Sequence, residues 1–167
     1  KDILSAMHIP SIVLEGVEAD DIIGTLAKKA EKEGFEVFMV TSDKDYAQLV
    51  SENIFMYRPA RMGNGIEIWG VPEVQEKFGV QDPLQVIDFL GMMGDASDNI
   101  PGLPGVGEKT AQKFIAEYGS MENLLANTDQ LRGKMKERII ENAELGRLSK
   151  ELANIITDYP IEYEAEN

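Results

Sequence analysis

The stretch from Gly91 to Gly119, GMMGDASDNIPGLPGVGEKTAQKFIAEYG, constrains the fold more than any other part of the chain. Its second half, Ile100 to Gly107, is a glycine-and-proline turn. It opens into a segment with apolar residues at Ala111, Phe114 and Ile115, a spacing that predicts a hairpin between two helices. Gly105 and Gly107 lack a Cβ and let a ligand approach the backbone, while the first-turn N–H groups of the following helix point outward. Such an end attracts phosphate. Gly102, Gly105, Val106, Gly107, Lys109 and Thr110 are the candidate contacts. The first half carries Asp95 and Asp98, whose short side chains just ahead of the turn point to a metal.

Three other readings compete for this stretch. A plain connection between helices, with aspartates capping the turn, would explain this stretch taken alone. A calcium loop fails: counting from Asp95, Ile100 stands where the turn glycine belongs and Val106 where the bidentate Glu belongs. A dinucleotide fingerprint fails because Gly102, Gly105 and Gly107 run GxxGxG after a helix rather than a strand. Phosphate-backbone binding beside acidic residues is what remains.

Upstream, Ser11-Ile-Val-Leu14 is a short apolar run, Asp20 to Glu33 has helical spacing, and Glu36 to Thr41 is again apolar. This predicts a βαβ unit whose helix buries Ile22, Ile23, Leu26, Ala27 and Ala30 and stops at Gly34. Acidic residues follow both strands, Glu18, Asp20 and Asp21 after the first and Asp43 and Asp45 after the second. In open α/β sheets the ligand crevice lies at the carboxyl edge, so these five should converge there. Each pair alone also fits a helix cap. Together with Asp95 and Asp98 they fit a shared cation site better, and all-oxygen ligands without His or Cys select Mg²⁺ or Mn²⁺.

The formal net charge of −14, from 30 acidic and 16 basic residues, argues against a nucleic-acid partner unless the acids are gathered around cations. The 167 residues with 43% apolar content suit one domain or one domain plus an appendage. No cysteine, no membrane-length apolar run and no leader before Lys1 predict a soluble, cytoplasmic protein in a reducing compartment.

Further along, Asn53–Tyr57 and Ile66–Trp69 read as paired strands around the Arg58–Gly65 loop, whose Arg58 and Arg61 are in reach of phosphate but more often solvated. Val71–Phe78 and Asp82–Met93 read as helices, followed after the hairpin by Met121–Asn127, Leu131–Asn142 and Ala143–Ile156. Lys134, Lys136, Arg138 and Arg147 fall on exposed positions of that helical tail. Asp158–Asn167 resembles a linker, and His8, the only histidine, is read as structural.

Three motifs in order, Glu18-Ala-Asp-Asp21, Thr41-Ser-Asp-Lys-Asp45 and Gly94-Asp-Ala-Ser-Asp-Asn-Ile-Pro-Gly-Leu-Pro-Gly-Val-Gly-Glu-Lys-Thr-Ala111, resemble the 5'-3' exonuclease domains of bacterial DNA polymerases I, members of the flap endonuclease family. The resemblance implies a parallel-sheet, PIN-like α/β nuclease core over residues 1–80. A helical region with a helix-three-turn-helix (helix-hairpin-helix) motif at 94–119 would occupy 81–160, and a linker would begin at 161–167. It implies two-metal phosphodiester hydrolysis of 5' flaps and RNA primers in replication and repair. Its partners would be flapped or nicked duplex DNA, the primer strand and a polymerase region, with no membrane, in association with the nucleoid. By motif position, Glu18 and Asp20 resemble ligands of one metal and Asp43, Asp45 and Asp98 of the other, with Asp21 and Asp95 in or just outside the shells. The hairpin would grip duplex backbone, often through K⁺.

The family's amino-terminal strand with its aspartate, a further aspartate and a basic helical arch do not precede Lys1. The resemblance therefore implies the carboxyl-terminal part of the nuclease domain, truncated at an edge strand, which binds DNA but is nearly inactive. The alternatives are a non-catalytic helix-hairpin-helix DNA-binding module and, disfavoured by the duplex-gripping hairpin, a small RNA-cleaving nuclease.

Overall fold

The computed structural model describes residues 2–59 and 65–161. Apolar alternation builds a small mixed sheet first. Strands β1 (Val37–Val40) and β2 (Ile54–Arg58) pair in parallel with Val37 opposite Ile54, and β3 (Glu67–Trp69) runs antiparallel to β2 with Trp69 opposite Met56. Because side chains alternate across a strand, Met39, Ile54, Met56 and Trp69 share one buried face. Phe38, Val40 and Ile68 fall on the other face and are exposed.

Helices α1 (Asp2–Ala6) and α2 (Ala19–Lys32) precede the sheet, and a 3-10 helix (Lys44–Leu49) connects β1 to β2. Then come α3 (Val71–Phe78), α4 (Gln85–Met93), α5 (Glu108–Tyr118), α6 (Met121–Ala126), α7 (Gly133–Glu141) and α8 (Ala143–Ala153), with a short 3-10 turn at Thr128–Gln130. A single core joins the sheet to the helices, running from Ala27 and Met56 through Phe89 to Leu124 and Ile139. Helices α4 and α8 approach closely because Gly91 carries no side chain: a Cβ there would stand 2.7 Å from the Lys150 Cα.

Four sequence expectations need correction. Ser11–Leu14 is not a strand among the described residues; no neighbouring strand pairs with it, and Val13 is exposed. Ile23 is also exposed, since α2 turns Ile22, Gly24, Thr25 and Ala27 inward instead. Helix α4 begins at Gln85, because Asp82 and Pro83 form a turn in which the Asp82 carboxylate accepts from Leu84 N (2.8 Å).

The fourth concerns the end of the chain. Helix α8 stops at Ala153, and residues 154–161 run back over α2 as an extended strap, so Asp158–Ile161 is no linker. Ile155 and Ile161 are buried, Lys29 donates to the Ile161 carbonyl, and Tyr159 N donates to Thr25 Oγ1 (3.3 Å). Gly24 makes room for the strap: a Cβ there would meet Ile155 Cγ2 at 2.8 Å. Residues 162–167 lie outside the described residues.

Candidate active site

The carboxyl end of β1 runs into Asp43, which caps the 3-10 helix by accepting from Asp45 N (3.1 Å). Glu18 stands at the N-cap position of α2, with Asp20 and Asp21 in its first turn. Asp98 comes from the loop after α4, which the Asp95–Ile100 backbone bridge closes. Six carboxylates, Glu18, Asp20, Asp21, Asp43, Asp45 and Asp98, line one cleft of about 280 Å³, together with Ile100 and residues 152–155.

Their hydrogen bonds leave coordinating capacity. Asp20 Oδ1 accepts from the Tyr46 hydroxyl (2.7 Å), Asp21 Oδ1 from Ile156 N (2.8 Å) and Asp43 Oδ1 from Asp45 N (3.1 Å). No described group bonds their Oδ2 atoms. Asp45 Oδ1 is buried with no partner at all among the described residues. Burial, followed by the charge of Asp43, pushes the Asp45 carboxyl up to about 6. Burial and the bond to Asp20 likewise raise the Tyr46 phenol, which keeps it a donor.

The donor chemistry fits a hard divalent cation: oxygen only, heavily anionic, with one buried oxygen unsatisfied. The arrangement is not a closed cage, since no three described carboxylates stand close enough to share an ion without side-chain movement. Asp95 stands apart from the six. Its buried carboxylate pairs with Lys44 and accepts from Ser97 N (2.7 Å), and the Lys44 bond first of all lowers its pKa. Burial disfavours charge on Lys44, but Asp95, Asp45 and Asp43 outweigh it and raise that pKa.

The hairpin separates into spent and spare donors. Gly102 N is buried and donates to Ser149 Oγ (2.9 Å), and Val106 N donates to Leu103 O (3.0 Å), so neither faces outward. Gly105 has φ +82°, a left-handed backbone that favours glycine, and the Arg138 guanidinium lies beside it, with a nitrogen 2.6 Å from where a Cβ would stand. Gly107 differs: its backbone is extended (φ −101°, ψ −178°) and a Cβ would meet nothing within 4 Å. Gly107, Glu108 and Lys109 N–H groups have no partner among the described residues, whereas Thr110 N donates to Gly107 O (2.9 Å). Of the two loop arginines, Arg58 lies 3.9 Å above the Trp69 ring and donates to Ser42 O (3.2 Å), and Arg61 lies outside the described residues.

Sequence reasoning missed Gln48 and the 153–156 strap around this cleft. A buried polar residue inside the apolar run Ala47–Val50 was the available signal for Gln48. The strap had no local signal.

The fold and cleft define a nuclease-like α/β core joined to a helical hairpin region. Residues 1–79 match the model of the 5'-3' exonuclease N-terminal resolvase-like domain, and residues 81–167 match the 5'-3' exonuclease C-terminal SAM fold. The chain belongs to the 5'-3' exonuclease family. It is 47% identical over 163 residues to DNA polymerase I of Bacillus subtilis (strain 168) and 46% identical over 163 residues to that of Bacillus caldotenax. Each match covers 97% of this chain and 18% of the polymerase, so the chain spans about a fifth of the length of these curated relatives. The structure of T5 5'-exonuclease with bound divalent zinc ions superposes with a TM-score of 0.79 at 25% identity, over 93% of this chain and 56% of that one.

Proposed function

We propose that this chain carries the metal centre of a 5'-3' exonuclease that cleaves phosphodiester bonds in DNA with 5' flaps or nicks and removes RNA primers during replication and repair. The observation that carries the reading is the cleft itself: carboxylates from three separate segments face one another with no ion pair to any of them among the described residues, the nearby Lys44 being bonded to Asp95, and one of those segments, 94–107, ends in the spare N–H groups of the hairpin. A non-catalytic DNA-binding module would leave that uncompensated charge unexplained, because gathering it costs stability.

Two Mg²⁺ or Mn²⁺ ions are proposed, with Glu18 and Asp20 serving one and Asp43, Asp45 and Asp98 the other, and Asp21 beside them. Bound there, such ions supply a lowered pKa for a water nucleophile and stabilise charge on the phosphate. The chain's own side chains place the carboxylates: Tyr46 orients Asp20, the capping bond orients Asp43, and the Lys44–Asp95 pair holds the loop that presents Asp98. Asp95 is thus a support rather than a ligand.

Duplex DNA would meet the first-turn N–H groups of α5 with Gly107, Lys109 and Thr110. Gly105 shapes that turn, and Gly102 and Val106 brace it from inside. Arg138 of α7 puts positive charge beside Gly105, and the same helix carries Lys134 and Lys136. K⁺ at the hairpin, association with the nucleoid and a linked polymerase region are proposed from the family resemblance. So is a division near residue 80 into a core bearing the acids and a helical region bearing the hairpin. Among the described residues no helix is long and apolar enough to cross a membrane.

Cleavage of a 5'-flap duplex by protein containing these 167 residues tests the reading. Chelation should abolish cleavage, and Asp45→Asn or Asp98→Asn should lower its rate about a hundredfold or more, because each removes an anionic ligand. Undiminished cleavage in both variants would overturn the assignment.

A further inference from the structure

We infer that Gln48 is a positioning residue for the acidic cleft, its side-chain amide tying the 3-10 helix that carries Asp45 to the 153–155 segment that forms another wall. The inference rests on the metal-dependent reading above and adds a residue that holds the ligands in place.

Gln48 is 2% exposed, and its amide is fully engaged. Nε2 donates to Asp45 O (3.0 Å) and to Ala153 O (2.9 Å), while Oε1 accepts from Ile155 N (2.9 Å). Two carbonyls and one N–H leave only one orientation of the amide that satisfies all three partners. A burial this deep, between Ala47 and Leu49, suits an apolar side chain of similar volume, and a buried amide costs free energy unless every bond is made. What the amide adds is a fixed distance between two backbone segments.

Both segments line the cleft. The next strap residue is held from the other side: Ile156 N donates to Asp21 Oδ1 (2.8 Å). Neighbouring amides of the strap are therefore fastened to the two acid-bearing elements, Ile155 to the 3-10 helix and Ile156 to α2. Within the same short helix, Tyr46 reaches Asp20 and Lys44 reaches Asp95. One turn of chain thus braces three walls, and Gln48 is the member that is neutral, saturated and without contact to any carboxylate oxygen.

The probe is Mn²⁺, with binding followed by electron paramagnetic resonance. Gln48→Met keeps the volume and removes the brace, and should weaken Mn²⁺ binding about tenfold or more, the size expected of a residue that orients ligands. Gln85→Met is the matched control. It makes the same substitution at an amide that donates to Gly119 O (2.9 Å) and accepts from Gln81 N (2.8 Å), at a position that does not line the cleft, and should leave Mn²⁺ affinity unchanged. Unweakened binding by Gln48→Met, or equal weakening by Gln85→Met, would overturn the positioning role. Absence of Mn²⁺ binding by the wild type would instead overturn the metal reading, and this inference with it. A second measurement needs no variant. Saturating Mn²⁺ should slow hydrogen exchange at the Ile155 and Ile156 amides about tenfold more than at the Met121 amide, which is bonded to Asp88 outside the cleft, because opening the strap would release the ion. Equal slowing at all three sites would sink the brace.

Discussion

Two groups of partly buried acids in this molecule have opposite surroundings. In the helical half, Asp88 accepts from Met121 N (2.7 Å) and Lys150 Nζ (2.6 Å), and the same ammonium reaches Glu122 (2.7 Å). One cation and one backbone donor answer those charges and tie α4, α6 and α8 together. In the cleft, six carboxylates share Tyr46 and a few backbone amides, one oxygen of Asp45 has no partner among the described residues, and Lys44 is paired with Asp95. The first arrangement is what a fold needs to stand. The second costs the fold stability, and a cation is the economical explanation for keeping it.

The largest effect should come from breaking the satisfied group. Asp88→Ala leaves Lys150 and Met121 N without their buried partner, and about 3 kcal/mol should be lost in urea unfolding, with or without Mg²⁺. A loss below about 0.5 kcal/mol, or one that metal reverses, would erase the distinction between the two groups.

The same contrast of spent and spare groups applies to the hairpin. Gly107→Ala should leave unfolding stability within about 0.5 kcal/mol, since the new methyl meets nothing, yet weaken duplex binding about tenfold where phosphate needs close approach. Gly105→Ala should do the reverse in part, costing about 1 kcal/mol through its left-handed backbone. Fluorescence anisotropy at fixed salt separates the two, and equal affinities for wild type and Gly107→Ala would show that the spare donors do not face DNA.

What the sequence made legible divides along the same line. The convergence of Asp43, Asp45 and Asp98 on one cleft and the start of α5 just after Gly107 could be read because each lies in a contiguous motif beside a predictable strand or helix end. The Ser11–Leu14 run was misread because an apolar run becomes a strand only with a neighbour to pair its backbone, and local sequence does not supply one. Ile156 was read as the end of a helix and Ile161 as part of a linker because the partners that dock the strap, Asp21, Thr25 and Lys29, lie more than a hundred residues away. Asp95 was placed in or just outside the shells by motif position, and its pairing with Lys44 was not legible because the two lie 51 residues apart.

Removing one charge from the unsatisfied group should stabilise the metal-free protein. Asp45→Asn is expected to gain about 1 kcal/mol at neutral pH, allowing for screening by water in the open cleft. The sign with pH follows from a folded-state pKa of about 6 against an ordinary value of 3.8. Below the ordinary value Asp45 is neutral in both states and costs nothing. As pH rises through that window the unfolded chain ionises more readily than the folded one, and stability is lost. The gain from Asp45→Asn should therefore vanish near pH 4, reach its full size above pH 6, and reverse when Mg²⁺ is bound. A pH-independent gain in thermal unfolding would mean that packing, not charge, sets the difference.

The smallest effect should come from the outer member of the satisfied group. Burial raises the Glu122 pKa, but hydrogen bonding from Lys150 and from its own backbone outweighs it, and the net shift is downward. A lowered carboxyl contributes stability above its ordinary value of 4.5 and loses it as pH falls through the folded-state value. Glu122 is exposed, however, and Asp88 already answers Lys150 from the buried side. Glu122→Gln should therefore cost no more than about 0.5 kcal/mol at pH 7, with the cost fading below pH 4.5, in thermal unfolding of the metal-free protein. A double-mutant cycle with Lys150→Met sharpens this. A coupling energy for Glu122 that rivals that of Asp88 would place the weight of the network at the surface, and the contrast drawn between buried satisfaction and the open cleft would have to be redrawn.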